Sequence, residues 1–386
     1  MTAAAPRLEP TRELAGACGD LGTFLPLTIG AILVGGLPAA SVLAGFGLAY
    51  LLAAAVYRAP VPVQPMKVAG AVLITTAPAT DVVIGAGLAL GLAFLLLGSS
   101  GLMKRLVEAV PATVIAGLQA GLGLGLGWSA LALLAGLPFA GLAFVALTGG
   151  LLILRPRWPV AVIVLAVAAL AAPWLGTPVP AGVAAAGLAP PSVPGLDAVA
   201  AGLVLIALPQ FPLTLTNAVI VTASAGREYY PRASRLDVRH LALTTGTMNL
   251  LTAPFGAMPM CHGAGGLAAH YRFGARTALA PAVLGAALLG LGLFAAGPAT
   301  RAMAAIPDAA LGALLLIPAI DLVRIVRPMR FTPVDRTVLA LLTAIAFFSP
   351  GIAFLAGLAA HPLAHRIAAR SQKRPHAAKH EWKNHE

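Results

Sequence analysis

The chain has 386 residues, of which 59% are hydrophobic and 10% charged, and its mean hydropathy is +0.91. Soluble globular domains carry about 25% charged residues, so that class is excluded. The net charge of +12 could suit nucleic acid, but the cations sit in short loops and near the C-terminus. That is the positive-inside pattern of a membrane protein, and no nucleic-acid partner is expected.

Residues 1–18 form a polar lead, expected in the cytoplasm, without the apolar run of a cleavable signal. Apolar segments follow at roughly 20–36, 39–57, 66–78, 82–98, 109–127, 129–154 and 159–175. A Pro/Gly/Ala-rich linker covers about 176–197. A second set runs roughly 198–222, 240–257, 261–271, 277–297, 304–323, 335–348 and 351–364, before a basic tail at about 366–386. The expectation is an all-α polytopic membrane protein of about fourteen segments in a lipid bilayer, with residues 19–175 and 198–365 as its halves.

Loop charges support an even count. Arg58, Lys104 and Arg105, Arg155 and Arg157, Arg227 to Arg239, Arg272 and Arg276, and Arg324 to Arg336 all follow even-numbered segments. Both termini are therefore expected in the cytoplasm. Three short matches recur in order between the halves. Phe24-Leu25-Pro26-Leu27-Thr28 resembles Gln210-Phe211-Pro212-Leu213-Thr214, and Gln64-Pro65-Met66-Lys67 resembles Met258-Pro259-Met260-Cys261. Ala109-Val110-Pro111 resembles Ala305-Ile306-Pro307. Seven segments per half invert the second half, the plan of secondary transporters with a midplane site between broken helices. Segments 3 and 10 are the expected broken pair.

Those two segments carry the chemistry. Pro65 and Pro259 suit helix entrances, where a missing N–H costs nothing. The N–H groups that follow are free to bind an anion. Each helix N-terminus carries the equivalent of roughly half a positive charge. Two of them plus Lys67 approach the charge of a small dianion. The glycines from Gly263 to Gly266 let a ligand come close to the backbone. The residue types thus predict a site for a tetrahedral oxyanion. Each member has a plainer alternative. Lys67 could snorkel to the interface, Cys261 and His262 could be packed core, and Asp20 could cap its helix. Gln210 could bond a neighbouring helix, and Arg272 and Arg276 could be topology signals. Asp308 and Asp321 read as structural, and the histidines of the tail as part of a solvated end. Two cysteines, Cys18 and Cys261, make neither a disulfide framework nor a metal set. No nucleotide-binding or hydrolase motif appears. No enzyme activity, catalytic residue, metal or cofactor is expected, and an ion gradient is the expected drive.

Gly19-Asp20-Leu21-Gly22-Thr23-Phe24-Leu25-Pro26-Leu27, and Pro259-Met260-Cys261-His262-Gly263-Ala264-Gly265-Gly266-Leu267 with Tyr271-Arg272-Phe273-Gly274-Ala275-Arg276, resemble the two signatures of the molybdate transporter family, related to the sulfate permeases. The resemblance implies the sulfate and uracil permease fold: a 7+7 inverted repeat with core and gate domains that move like an elevator. It implies molybdate or sulfate bound between the N-termini of segments 3 and 10, beside segments 1 and 8. The implied substrate-binding set is Thr23, Gln64, Pro65, Met66, Lys67, Gln210, Pro259, Met260, Cys261, His262 and Gly263. Asp20, His262, Arg272 and Arg276 are the coupling or gating candidates, with protons as coupling ion. A homodimer in the cytoplasmic (inner) membrane is the implied assembly. The short tail implies no C-terminal regulatory domain of the sulfate-permease kind. A nucleobase carrier on the same fold would want carboxylates in segments 8 and 10, which have Gln210 and His262 instead. A channel or motor-like protein is the remaining alternative.

Overall fold

In the computed structural model, residues 10–19, 21–100, 102, 111–154, 158, 160–175, 187–324 and 330–372 are described. Asp20, Lys104, Arg105, Arg155, Arg157, Arg327, the linker over 176–186 and the tail histidines lie outside the described residues. Each expected apolar segment contains a helix. The first half has α1 (Pro10–Gly19), α2 (Leu21–Leu33), α3 (Ala39–Tyr57), α4 (Lys67–Thr76) and α5 (Thr80–Ser100). It continues with α6 (Ala112–Ala135), α7 (Pro138–Leu154) and α8 (Val160–Leu175). The second has α9 (Leu196–Tyr229), α10 (Val238–Thr252), α11 (Ala264–Phe273), α12 (Leu279–Phe294) and α13 (Ala296–Ala304). α14 (Asp308–Arg324), α15 (Pro333–Phe348) and α16 (Pro350–Gln372) complete it.

Among the described residues, four helices are long and apolar enough to cross a membrane, or six if each bent pair is one span. Short helices such as α4 and α11 run for only ten residues each, about 15 Å at the α-helical rise. That is half the hydrocarbon thickness.

Three boundaries differ from the sequence reading, each for a local reason. The helix of segment 5 runs on to Ala135, and the next begins at Pro138, because proline starts a helix more readily than it continues one. Segment 11 ends in a 97° bend into α13. The polar lead contains α1, whose Glu13 is buried and accepts the backbone N–H groups of Arg276 and Thr277.

The helices pack in two groups. α3 lies on α12, and α5 on α9 and α10, with α1 against α11. In the other group, α6 packs on α14, α15 and α16, and α14 on α7. The seams are lined by small residues, as expected where lipid supplies no hydrophobic drive between helices. At Gly285 an added Cβ would come within 2.9 Å of the Gly47 carbonyl on α3, so only glycine permits that approach. Where the groups meet, α4 touches α6 and α2 touches α14.

The joint of the first group is a two-residue antiparallel pair, β1 (Gln64–Pro65) with β2 (Met260–Cys261). Gln64 faces Cys261 and Pro65 faces Met260, and the Met66 N–H donates to the Pro259 carbonyl at 3.0 Å. So short a pair needs help. Asn249 of α10 supplies it, accepting the Met260 N–H at 3.0 Å and donating to the Met260 carbonyl at 2.7 Å. Asn249→Ala removes both bonds and leaves buried backbone groups unpaired, at about 1–3 kcal/mol each. The expected outcome is a lower unfolding midpoint for the detergent-purified variant in a thermal melt.

Candidate functional site

Pro65 closes β1 just ahead of α4, and Pro259 stands immediately before β2; neither has an N–H to offer the ladder. α4 starts at Lys67 and α11 at Ala264, and neither N-cap, Met66 or Gly263, supplies a side-chain cap. Two helix N-termini are thereby held on either side of one strand pair.

Between them lies a small cavity lined by Gln64, Pro65, Lys67, Cys261 and Gly263 from the two strand–helix units. Gln210, Leu213, Thr214, Asn217 and Ala218 of α9 line a second side, and Gln119 of α6 and Leu322 of α14 the third. The stretch Thr214–Val221 of α9 is wound as a π-helix, a local widening common at functional sites. It brings Thr214 and Asn217 to the cavity. The enclosed space is about 20 Å³, room for about one water.

Two glutamine amides lie at the helix starts. The Val68 N–H, in the first turn of α4, donates to Gln210 Oε1 at 2.8 Å, and Gln210 Nε2 donates to Thr214 Oγ1 at 2.8 Å. The Gln64 Oε1 lies against Gly263, at the start of α11, where an added Cβ would collide with it. Lys67 is half-buried beside them, and among the described residues no carboxylate lines the cavity. This is a pocket of N–H donors, amides and one ammonium, suited to a small anion.

Of the residues expected to bind, Gln64, Pro65, Lys67, Gln210, Cys261 and Gly263 line the cavity. Met66, Pro259 and Met260 are buried behind it and hold the strand pair. His262 is fully buried with its ring turned to the scaffold: Nδ1 donates to the Pro62 carbonyl at 2.8 Å, and Nε2 is 2.8 Å from Thr244 Oγ1. Thr244 in turn bonds the Tyr57 hydroxyl. His270 Nδ1 meets the Pro60 carbonyl in the same manner at 2.9 Å. These histidines fasten the second strand–helix unit to the proline-containing run ahead of the first. Thr23 belongs to α2. Arg272 is exposed. Arg276 sits 4.0 Å over the Tyr271 ring and donates to the Tyr271 and Ala275 carbonyls, away from the cavity.

A larger cavity of about 710 Å³ opens at the loop end, lined by Arg58, Arg232, Arg235 and Arg276 among others. Burial pushes the adjoining Tyr230 phenol well above its ordinary pKa. Its arginines stand on the segments between helices, whereas the small cavity gathers helix N-termini. We therefore assign the candidate site to the small one. The expected binding set lacked Gln119, Leu213, Thr214, Asn217, Ala218 and Leu322. The available signal for Gln119 was a lone amide within the apolar run of α6, since polar side chains inside spans mark sites by default.

The sequence profile of a family described as molybdate transporter of the MFS superfamily matches residues 12–126 and 202–322. Molybdate transporter 1 of Arabidopsis thaliana is 30% identical over 400 residues, covering 89% of this chain and 86% of that one. Molybdate transporter 2 of the same plant is 28% identical over 375 residues, covering 80% and 77%. Among solved structures, the transmembrane domain of a cyanobacterial bicarbonate transporter, BicA, superposes with a TM-score of 0.69 at 19% identity, covering 89% of this chain and 97% of that one. The murine Slc26a9 anion transporter in its inward-facing state gives 0.69 at 15% identity, covering 95% and 70%. The chain shares the fold of these membrane transporters.

Gly263 and Gly265 make a matched test of the site. An added Cβ at Gly263 meets Gln64, while at Gly265 it meets nothing within 4 Å. Gly263→Val is expected to abolish anion binding in calorimetry on purified protein, and Gly265→Ala to leave it within about twofold, the effect of a mild surface change.

Proposed function

Since the chain belongs to the molybdate transporter family, we propose that it is a secondary transporter importing molybdate, bound between the N-termini of α4 and α11. Its relatives are transporters rather than enzymes. The observation that carries the reading is the convergence of two uncapped helix starts and Lys67 on one cavity free of carboxylates among the described residues. Each N-terminus contributes roughly half a charge and the ammonium one more, which together match a dianion.

The Gln210 amide oxygen at the start of α4 and the Gln64 amide oxygen beside Gly263 stand at positions that anion oxygens would take. The Gln210 amide keeps a helix-start donor from going unpaired, which would cost about 1–3 kcal/mol. The incoming anion displaces both amides and expands a space that now fits about one water. The two strand–helix units and α9 form the moving core, and the α6–α14–α15–α16 group forms the gate against which it slides. We take the two halves as a 7+7 inverted repeat of fourteen segments, with both termini in the cytoplasm, in an inner-membrane homodimer. The order of matched prolines and the loop charges support this topology. Thr23 completes the proposed binding set. Met66, Pro259 and Met260 act through the strand pair. Protons are the proposed coupling ion, with Asp20 and His262 as candidates, and Arg272 and Arg276 serve gating at the end of α11.

Sulfate shares charge and shape with molybdate and is the alternative substrate. A nucleobase is disfavoured, because its N–H groups would want a carboxylate. Calorimetry with molybdate, sulfate and uracil in parallel tests the reading. Molybdate is expected to bind, sulfate more weakly, and uracil not at all; uracil binding alone would reject the oxyanion site. Lys67→Ala is expected to weaken molybdate binding about tenfold or more, the scale of a charge-assisted contact, with expression unchanged. Proton drive is tested by uptake into proteoliposomes with an imposed pH gradient. Faster uptake with the acidic side outside is expected, and uptake indifferent to the gradient would reject it.

A further inference from the structure

Gln119 is only 5% exposed, and among the described residues its Oε1 has no hydrogen-bond partner. Buried side-chain amides are nearly always bonded, so an orphan calls for a reason. Thr28, Thr148, Thr245 and His270 also carry an orphaned buried atom. Gln119 differs from them in lining the small cavity. It also comes from the other helix group. Gln64, Lys67, Gln210, Thr214 and Asn217 belong to the strand–helix units and α9, whereas Gln119 stands on α6. Its companion from that group, Leu322, offers no polar atom. α6 has little else to give: its buried Thr113 is already bonded to Asp335 at 3.1 Å.

We infer that Gln119 is a substrate-contacting residue supplied by the second helix group, which closes the oxyanion cavity opposite the helix N-termini and sets its width. The inference rests on the oxyanion reading of this cavity. A glutamine amide can turn its two N–H donors toward an anion or its carbonyl toward a donor. It is neutral, so its bond to a dianion is weaker than one from Lys67. That division suits a site divided between two sliding groups. The charged partners all travel with the anion, and the one bond that must break at each passage is the neutral one. A cation at this position would hold the anion across the seam. The length of the side chain fixes the gap between α6 and the helix starts, and hence which oxyanion fills it.

Three variants test this in purified protein, with molybdate and sulfate as probes. Gln119→Leu removes an unpaired buried acceptor, so the empty protein should melt at the same temperature or higher. A glutamine held by hydrogen bonds that the fold needs would give a lower one. The same variant should lose affinity for both anions on the order of fivefold, the size of one net hydrogen bond, and show less anion-induced thermal stabilisation. Gln119→Glu keeps the shape and sets a carboxylate against the dianion, and its loss should be larger. Gln119→Asn widens the gap, so sulfate affinity should fall more than molybdate affinity. Binding unchanged in all three variants, with Lys67→Ala still defective, would overturn the role of Gln119 and leave the site. Binding unchanged in Lys67→Ala as well would mean that the site itself was misread. An unaltered molybdate-to-sulfate ratio in Gln119→Asn would overturn the width-setting role.

Discussion

Everything around the cavity depends on one short antiparallel contact, the pairing of Gln64-Pro65 with Met260-Cys261. Residues distant in sequence meet there as extended backbone inside a helical protein. Such backbone survives at membrane depth only where protein satisfies its polar groups. Four features do so here. The strands bond each other, the Met66 N–H reaches Pro259, Asn249 holds both polar groups of Met260, and Thr222 donates to the His262 carbonyl at 3.2 Å. With the strands secured, the two helices that leave them start beside the same cavity.

The donors left over at those starts are therefore the unspent polar capacity of the structure. Prolines at the strand ends remove N–H groups that the ladder could not use, and the following turns keep theirs. The Gln210 amide covers the start of α4 through the Val68 N–H, and the Gln64 amide oxygen lies against Gly263 at the start of α11. The proposed transport cycle needs no more than their exchange for the oxygens of a dianion. The histidines also fasten the scaffold. His262 and His270 both reach carbonyls of the run at Pro60 and Pro62, so the two strand–helix units are clamped as one body. A rigid unit of this kind can carry a bound ion past a second helix group without dissolving the site.

The second group explains why the cavity is small. α6 and α14 close its open side with Gln119 and Leu322, and the glycine-lined seams within each group leave their helices tightly packed. Sliding at the boundary between groups changes fewer contacts than repacking inside either. That is the physical sense of the proposed division into core and gate.

Much of this was legible in the sequence because the governing signals are local. A continuous apolar run must be helical in lipid wherever it lies, so α3 over Ala39–Tyr57 and α8 near 159–175 were readable directly. Proline followed by a glycine-rich or small-residue run marks a helix start in any context, which made α4 and α11 readable. What those signals omit is direction. His262 stands in the motif beside Gly263, yet its ring faces Thr244 and Pro62, because only the packed neighbours determine which way a side chain points. Gln119 was one amide in a run of Gly, Ala and Leu, and nothing nearby in sequence says what it faces. α1 looked like a polar lead, and its burial depends on Glu13 meeting backbone donors more than 260 residues away. Local residue order was enough to place the apolar segments and the two helix starts. Only tertiary packing decided which polar side chains share the cavity, since that depends on contacts between chain segments far apart in sequence.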